Sequence, residues 1–285
     1  MLFRWLRNLY LPSLVGLASL IFWQMSAAAQ PPLVWQGEWK PGALLVAKLP
    51  DNTHLLYAGK PLEVDQDGRV LLGLSRDAQG SVALQLVDNI SEKRWLLSYN
   101  LAAREYPIQR VEGVPQVTVT PLAEQLARIR REAALVSASR SRSLSQPLYS
   151  TGFTAPANGP ITGVYGSQRF YNGVAGRPHY GVDYAAPSGA PVRAPAAGKV
   201  VLAEPDLFYS GGTVILDHGY QLFSSFLHMS AVAVEVGQIV QQGELIGAVG
   251  ATGRATGPHL DWRMNWGSLR VDPQLVLQAL PKQRD

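Results

Sequence analysis

The chain contains no cysteine. That absence excludes a disulfide framework, a thiolate nucleophile and sulfur ligation of a metal, so any metal site must be built from imidazole and carboxylate. Imidazole is itself scarce: the five histidines stand at positions 54, 179, 218, 228 and 259. Charge of one sign is also lacking. Twenty-five basic side chains against 21 acidic ones leave a formal charge of +4, too small a surplus to imply nucleic acid as a partner. No internal repeat is present. What the chain does have is a hydrophobic fraction of 47% together with 27 glycines and 20 prolines, the composition of a globular, turn-rich and mainly β structure.

The one extended apolar run lies at the N-terminus. Arg4 and Arg7 precede an apolar stretch from Leu9 to Trp23, and Ala27-Ala28-Ala29 supplies small residues for a cleavage after Ala29. Residues 1–29 therefore read as a secretory signal peptide, with export to the periplasm or cell envelope. Retained, the segment would be a membrane anchor, but Pro12, Ser13 and Gln24 interrupt it and it is short for a span of about 20 apolar residues. Its removal takes away Arg4 and Arg7 and lowers the formal charge from +4 to +2.

From 30 to 120, short β-type runs over 43–49, 61–64, 70–74, 82–87, 94–101 and 117–119, with another ending at Tyr57, alternate with turn signals such as Pro41-Gly42, Ala58-Gly59 and Asp65-Gln66-Asp67-Gly68. This spacing predicts a β-sandwich. Asp65, Asp67 and Gly68 resemble the start of a calcium loop but lack its remaining ligands, so they read as a tight turn. Residues 121–158 read as a connecting helix and linker. Thr120-Pro121 has the form of an N-cap and first helical residue, Leu122, Leu126, Ile129, Ala133 and Val136 follow at helical spacing, and the Ser-rich stretch 137–150 reads as flexible. From 159 to 280, strands predicted over 182–185, 191–194, 198–202, 212–216, 222–227, 245–249 and 258–265 make a C-terminal antiparallel β roll. Biotinyl and lipoyl carrier domains share such a rhythm, but they need a lysine at a hairpin tip, and the nearest one upstream is Lys199.

Candidate chemistry concentrates in this last part. In Pro258-His259-Leu260-Asp261-Trp262 two ligand-type side chains stand two residues apart, the spacing that points both to one face of a strand. In His179-Tyr180-Gly181-Val182-Asp183 an i, i+4 spacing on an expected strand does the same. His228 lies in a third strand-like run, whereas His218, in Leu216-Asp217-His218-Gly219, reads as a turn residue without a ligand role, and His54 as a surface residue.

Together, Pro178-His179-Tyr180-Gly181-Val182-Asp183, Ala194-Pro195-Ala196-Ala197-Gly198, Phe226-Leu227-His228-Met229-Ser230 and Gly250-Ala251-Thr252-Gly253-Arg254-Ala255-Thr256-Gly257-Pro258-His259-Leu260 resemble the lysostaphin-type family of zinc metallopeptidases, which cut peptidoglycan cross-bridges. The resemblance spans about 159–275 and extends more weakly to the N-terminal half, which is similar to that of exported proteobacterial members. It implies one Zn²⁺ per chain held by His179, Asp183 and Asp261, with His228 and His259 catalytic. It also implies peptidoglycan peptides as substrate, and an alternative in which a non-catalytic member binds peptidoglycan or regulates another wall hydrolase. The chain departs from the family at Asp261, where the pattern has His. A carboxylate can ligate zinc, but two carboxylates and one imidazole make the site formally neutral rather than +1, which weakens the metal as a Lewis acid.

Overall fold

The computed structural model describes residues 33–283; the expected signal peptide lies outside the described residues. Near the N-terminus, strands Trp35–Gln36, Leu44–Lys48 and Arg69–Gly73 form one antiparallel sheet, and Lys60–Pro61, Thr53–Tyr57, Ser81–Asp88 and Arg94–Asn100 form a second. Alternation fixes which face goes inside: along Ser81–Asp88, Val82, Leu84 and Leu86 are buried while Ser81, Ala83 and Gln85 are exposed. Those leucines meet Leu45, Leu55, Val70 and Leu72 in a shared core between the two sheets, which is the β-sandwich expected from the turn spacing. Asp65 closes its own turn by accepting from the backbone N–H groups of Asp67 and Arg69, a hairpin device rather than a calcium loop.

The second half is built on an eight-stranded antiparallel sheet. Its order runs Ile239–Val240, Gly198–Leu207, Gly211–Asp217, Leu222–Met229, His259–Trp266, Gly181–Ala185, Ile161–Gly163, with Leu269–Val271 added beside His259–Trp266. A small sheet of Pro191–Arg193, Leu245–Ala248 and Ala231–Val232 packs against it. Every residue of Gly211–Asp217 and Leu222–Met229 is buried, because these central strands have cover on both faces.

Three expectations fail locally. Residues 117–119 are not a strand: Gln116–Val119 is a short helix, with the Thr118 hydroxyl donating to the Pro115 carbonyl at 2.7 Å. The long helix is Leu126–Ala138, preceded by a 3₁₀ turn at Ala123–Gln125, so Thr120 is not its N-cap but closes the short helix, its N–H donating to the Gln116 carbonyl at 2.9 Å; proline at 121 sits in the approach to the long helix and not in its first turn. Residues 137–150 are no free linker. The Ser143 hydroxyl and the Leu144 N–H both donate to Asp217, at 2.8 and 2.7 Å, and Tyr149 is fully buried with its hydroxyl donating to Asp65 at 2.9 Å.

The two halves interlock. Ile108–Val111 pairs in parallel with Gln168–Tyr171, across the boundary expected near 159. Gly73 lies so close to Trp266 that a Cβ there would stand 2.9 Å from the indole, and Leu275 of the Pro273–Ala279 helix enters the sandwich core. The described residues accordingly form a single compact unit.

Candidate metal centre and its groove

Asp183 and Asp261 are direct cross-strand partners, from Gly181–Ala185 and His259–Trp266, and both are buried. Two carboxylates facing each other in an antiparallel pair repel, so the surroundings must supply positive charge. Glycine makes the room for them: a Cβ on Gly163 would come within 2.1 Å of Asp183 Oδ2, and one on Gly181 within 2.2 Å of Asp261 Oδ1.

His179 completes the cluster, though not from a strand as its spacing had suggested. It lies in the loop before Gly181–Ala185, fixed by its backbone N–H to the Ser167 carbonyl and by its carbonyl to the Gly166 N–H. Its Nε2 is 3.2 Å from Asp183 Oδ1 and 4.0 Å from Asp261 Oδ1. One ligand atom from each of the three residues lies within 4.8 Å of the others.

The arrangement shares each carboxylate between two duties. Asp183 Oδ2 accepts from Arg169 Nη2, while Asp183 Oδ1 and both ring nitrogens of His179 are buried without a hydrogen-bond partner. Asp261 is gripped by Arg263, whose Nε and Nη2 donate to Oδ2 at 3.0 and 2.5 Å and whose Nε reaches Oδ1 at 3.1 Å. An ionised carboxylate has about four lone-pair sites, so Asp261 Oδ1 keeps one that Arg263 does not use. The unpartnered atoms of His179 and Asp183, with that Oδ1, are a donor set that fits a divalent cation, and guanidiniums behind ligating carboxylates are ordinary support for one. Burial works against the charged form of both acids. His179 and Arg169 outweigh it at Asp183, and Arg263 with His179 at Asp261, so both carboxyls are held below the usual range.

His228 and His259 stand beside the cluster with ring centroids 4.8 Å apart, and His228 Nε2 is 4.0 Å from Asp261 Oδ2. Each ring is oriented by a backbone carbonyl: His228 Nδ1 meets the Thr252 carbonyl at 2.7 Å and His259 Nδ1 the Gly257 carbonyl at 2.8 Å. A carbonyl only accepts, so both Nδ1 atoms carry hydrogen and both Nε2 atoms are left free of it; His228 lines the groove over the cluster, and His259 lines an adjoining recess together with Asp183. Burial pushes His228 down to about 4, leaving it a neutral base at pH 7. Its backbone is left-handed, φ +65°, a conformation uncommon for histidine, held by its N–H to the Ser210 carbonyl at 2.8 Å.

All five sequence-predicted site residues thus meet in one place. His218 does not join them. It stands at the turn between Gly211–Asp217 and Leu222–Met229, its N–H donating to the Leu222 carbonyl, and is buried there with Nδ1 on the Ala197 carbonyl and Nε2 on the Ser224 hydroxyl. Sequence reasoning missed Arg263 and Arg169. Arg263 was within reach, since an i+2 residue on a strand shares the face of Asp261; Arg169 comes from a different part of the chain and gave no signal.

The groove over the cluster encloses about 550 Å³ and is roofed on one side by Ile129, Ala133 and Val136 of the Leu126–Ala138 helix. The helix is latched down. Arg128 pairs with Asp206 at 3.0 Å, and Glu132 accepts from the Phe208 N–H at 2.7 Å.

Comparison with known proteins agrees with this geometry. Residues 177–273 match the model of peptidase family M23. A crystal structure described as a peptidase M23 from Pseudomonas aeruginosa is 31% identical, with a TM-score of 0.65, and the alignment covers 86% of this chain and 97% of that one. Peptidoglycan DD-endopeptidase ShyB of Vibrio cholerae serotype O1 is 40% identical over 93 residues, 32% of this chain and 22% of that protein. DD-carboxypeptidase/endopeptidase Mpg of Neisseria meningitidis serogroup B is 40% identical over 106 residues, 37% of this chain and 24% of that protein. The chain thus spans only about a quarter or less of the length of these curated relatives.

Proposed function

Because the chain belongs to peptidase family M23, we propose that it is a zinc-dependent endopeptidase that hydrolyses peptide cross-bridges of bacterial peptidoglycan. The observation that carries this reading is the buried, unpartnered set of His179 nitrogens and Asp183 Oδ1 facing Asp261 Oδ1, with two imidazole Nε2 atoms alongside. His179, Asp183 and Asp261 would hold one Zn²⁺. Bound there, the ion supplies Lewis acidity toward a peptide carbonyl and a water.

The chain's own residues do the rest. His228, neutral at pH 7 and presenting Nε2, accepts the proton of the attacking water or gives it to the leaving amine; His259, whose ring lies 4.8 Å away with Nε2 free, takes the other part and hydrogen-bonds the developing oxyanion. Arg263 and Arg169 bear on the weakness expected of a two-carboxylate site. Each guanidinium withdraws charge from the carboxylate it holds, so the cluster with zinc is net positive even though Asp261 replaces an imidazole. Substrate entry runs along the groove beneath the helix. Export to the cell envelope goes with this reading, supported by the leader pattern of residues 1–29.

A second reading has one observation behind it. The multiple contacts from Arg263 supply positive charge to Asp261 without a metal, as a non-catalytic member that binds peptidoglycan or regulates another wall hydrolase would need. Metal analysis and digestion of isolated sacculi by the parent, Asp261→Ala and Asp261→His separate the two. The peptidase reading expects about one zinc and released fragments in the parent, zinc affinity lower by about 100-fold or more and no cleavage in Asp261→Ala, and tighter zinc in Asp261→His. Equal metal occupancy in the parent and Asp261→Ala would end the ligand assignment. Bound metal without fragments would favour the second reading.

A further inference from the structure

The groove carries more positive charge than its own acids answer. Arg169, Arg177, Arg254, Arg263 and Arg270 all line it, with Glu132 as the one acid on the same wall. Glu132 is engaged by Arg128 and the Phe208 N–H, and the two carboxylates of the metal cluster are engaged by Arg169 and Arg263. Among the described residues, Arg254 and Arg270 have no carboxylate partner. The Arg270 guanidinium donates only to the Asn265 side chain at 2.8 Å, and the Arg254 guanidinium only to the Thr118 carbonyl at 3.3 Å. Arg140, just past the helix, adds another cation close to Arg263 and Arg270. Burial, with Arg140 and Arg263 nearby, pushes Arg270 down to about 9.

Like charges gathered out of water without counter-charge are unfavourable, and a cleft lined by one sign concentrates ligands of the other. The side chains are also held in readiness. Arg254 lies 4.2 Å over the Tyr171 ring and 4.9 Å over Tyr209, which fixes its plane, and it borders the recess that contains His259 and Asp183. Arg270 is anchored by Asn265 on the wall shared with Tyr180 and Arg263. A planar guanidinium held this way matches a carboxylate in two-point fashion, and a volume of about 550 Å³ is that of a small-ligand or short-peptide cleft.

We infer that the groove recognises its peptide through at least two free carboxylates, one received at Arg254 beside His259 and one at Arg270 with Arg140 nearby. This rests on the reading of the groove as a peptide site and names the chemistry of the peptide: acidic, with carboxylates on both sides of the bond presented to the histidines.

Calorimetry on the zinc-loaded full chain tests it with two probes, N-acetyl-Glu-Ala-Ala with free carboxylates and its uncharged counterpart N-acetyl-Gln-Ala-Ala-amide. The acidic peptide is expected to bind about tenfold or more tightly, with affinity falling as salt rises. Arg254→Gln and Arg270→Gln should each remove most of that preference and leave binding of the neutral peptide and zinc content unchanged. Arg140→Gln, at a half-buried position, reports on the Arg270 side if burial of Arg270 makes its own variant unstable. Equal affinity for the two peptides overturns the inference, as does an undiminished preference in the arginine variants, or inorganic phosphate competing as well as the acidic peptide. Digestion of sacculi is scored separately. Cleavage without carboxylate preference leaves the peptidase reading standing and this inference refuted; preference without cleavage does the reverse.

Discussion

At the scale of single residues the site is a set of side chains whose free atoms are assigned by what holds their other atoms. Backbone carbonyls fix the Nδ1 atoms of His228 and His259 and so leave Nε2 as the free nitrogen, His228 on the groove and His259 on the recess beside it. Arginines take Oδ2 of Asp183 and Asp261, leaving Oδ1 of Asp183 without a partner and Oδ1 of Asp261 with one lone pair beyond its contact to Arg263 Nε. His228 is also held against its backbone preference, at φ +65°, and strain of this kind is tolerated where a side chain must be aimed. Glycine accepts that conformation freely and alanine does not. His228→Gly should therefore be more stable than His228→Ala, by about 0.5–1 kcal/mol, while both keep zinc and lose cleavage. Chemical denaturation of the two variants measures the difference, and an alanine variant as stable as the glycine one would show that the conformation carries no strain.

At the scale of elements, the Leu126–Ala138 helix has no fully buried residue; Ile129 and Ala133 line the groove, and Val136 alone of its stripe also packs on a small core cluster, that of Leu202, Leu207, Ile215 and Phe223. Such a helix draws little stability from packing, so the latch to Asp206 and Phe208 matters more than usual. Arg128–Asp206 is exposed and contributes little. The stronger tie is Glu132, a charged acceptor for the Phe208 N–H, and hydrogen bonds to charged groups contribute about 1.5–3 kcal/mol. Glu132→Ala should speed hydrogen exchange across 126–138 by about tenfold or more and raise the on-rate of groove peptides, with exchange in Gly211–Asp217 and Leu222–Met229 unchanged. Unchanged exchange in the helix would mean that the segments on either side, not Glu132, hold it down.

Across the whole molecule, stability rests on junctions where distant segments meet, and one of them contains a titratable group. His218 is enclosed by the Ala197 carbonyl, the Ser224 hydroxyl and the edge of Phe153, and burial lowers it from 6.5 to about 4. The unfolded chain protonates this imidazole near pH 6.5, the folded protein only near 4. Its contribution is therefore complete above pH 6.5 and is lost as pH falls through that window, by roughly 3 kcal/mol in all. Denaturation at a series of pH values between 7 and 4 should show a shallower decline in His218→Gln than in the parent. Parallel curves would mean that His218 does not report folding.

Much of this was legible in the residues because it depends on short-range periodicity. Alternation in Ser81–Asp88 and in His259–Trp266 follows from the two-residue repeat of a strand, and that repeat alone puts Asp261 on the face of His259, with Arg263 beyond it. The mainly β class, the sandwich and the roll, and the five histidines and aspartates that converge on the site were all visible at that range. Tertiary structure decided what depends on other segments. His179 reaches the cluster from a loop pinned by Ser167 and Gly166, not along a strand. Tyr149, in a Ser-rich stretch that reads as flexible, is buried because Asp65, 84 residues away, accepts its hydroxyl. Arg169 neutralises Asp183 only because Gln168–Tyr171 folds alongside Ile108–Val111 and toward Gly163. A sequence specifies which side chains share a strand face, but the charge around a buried carboxylate is set by whichever segments the fold packs against it.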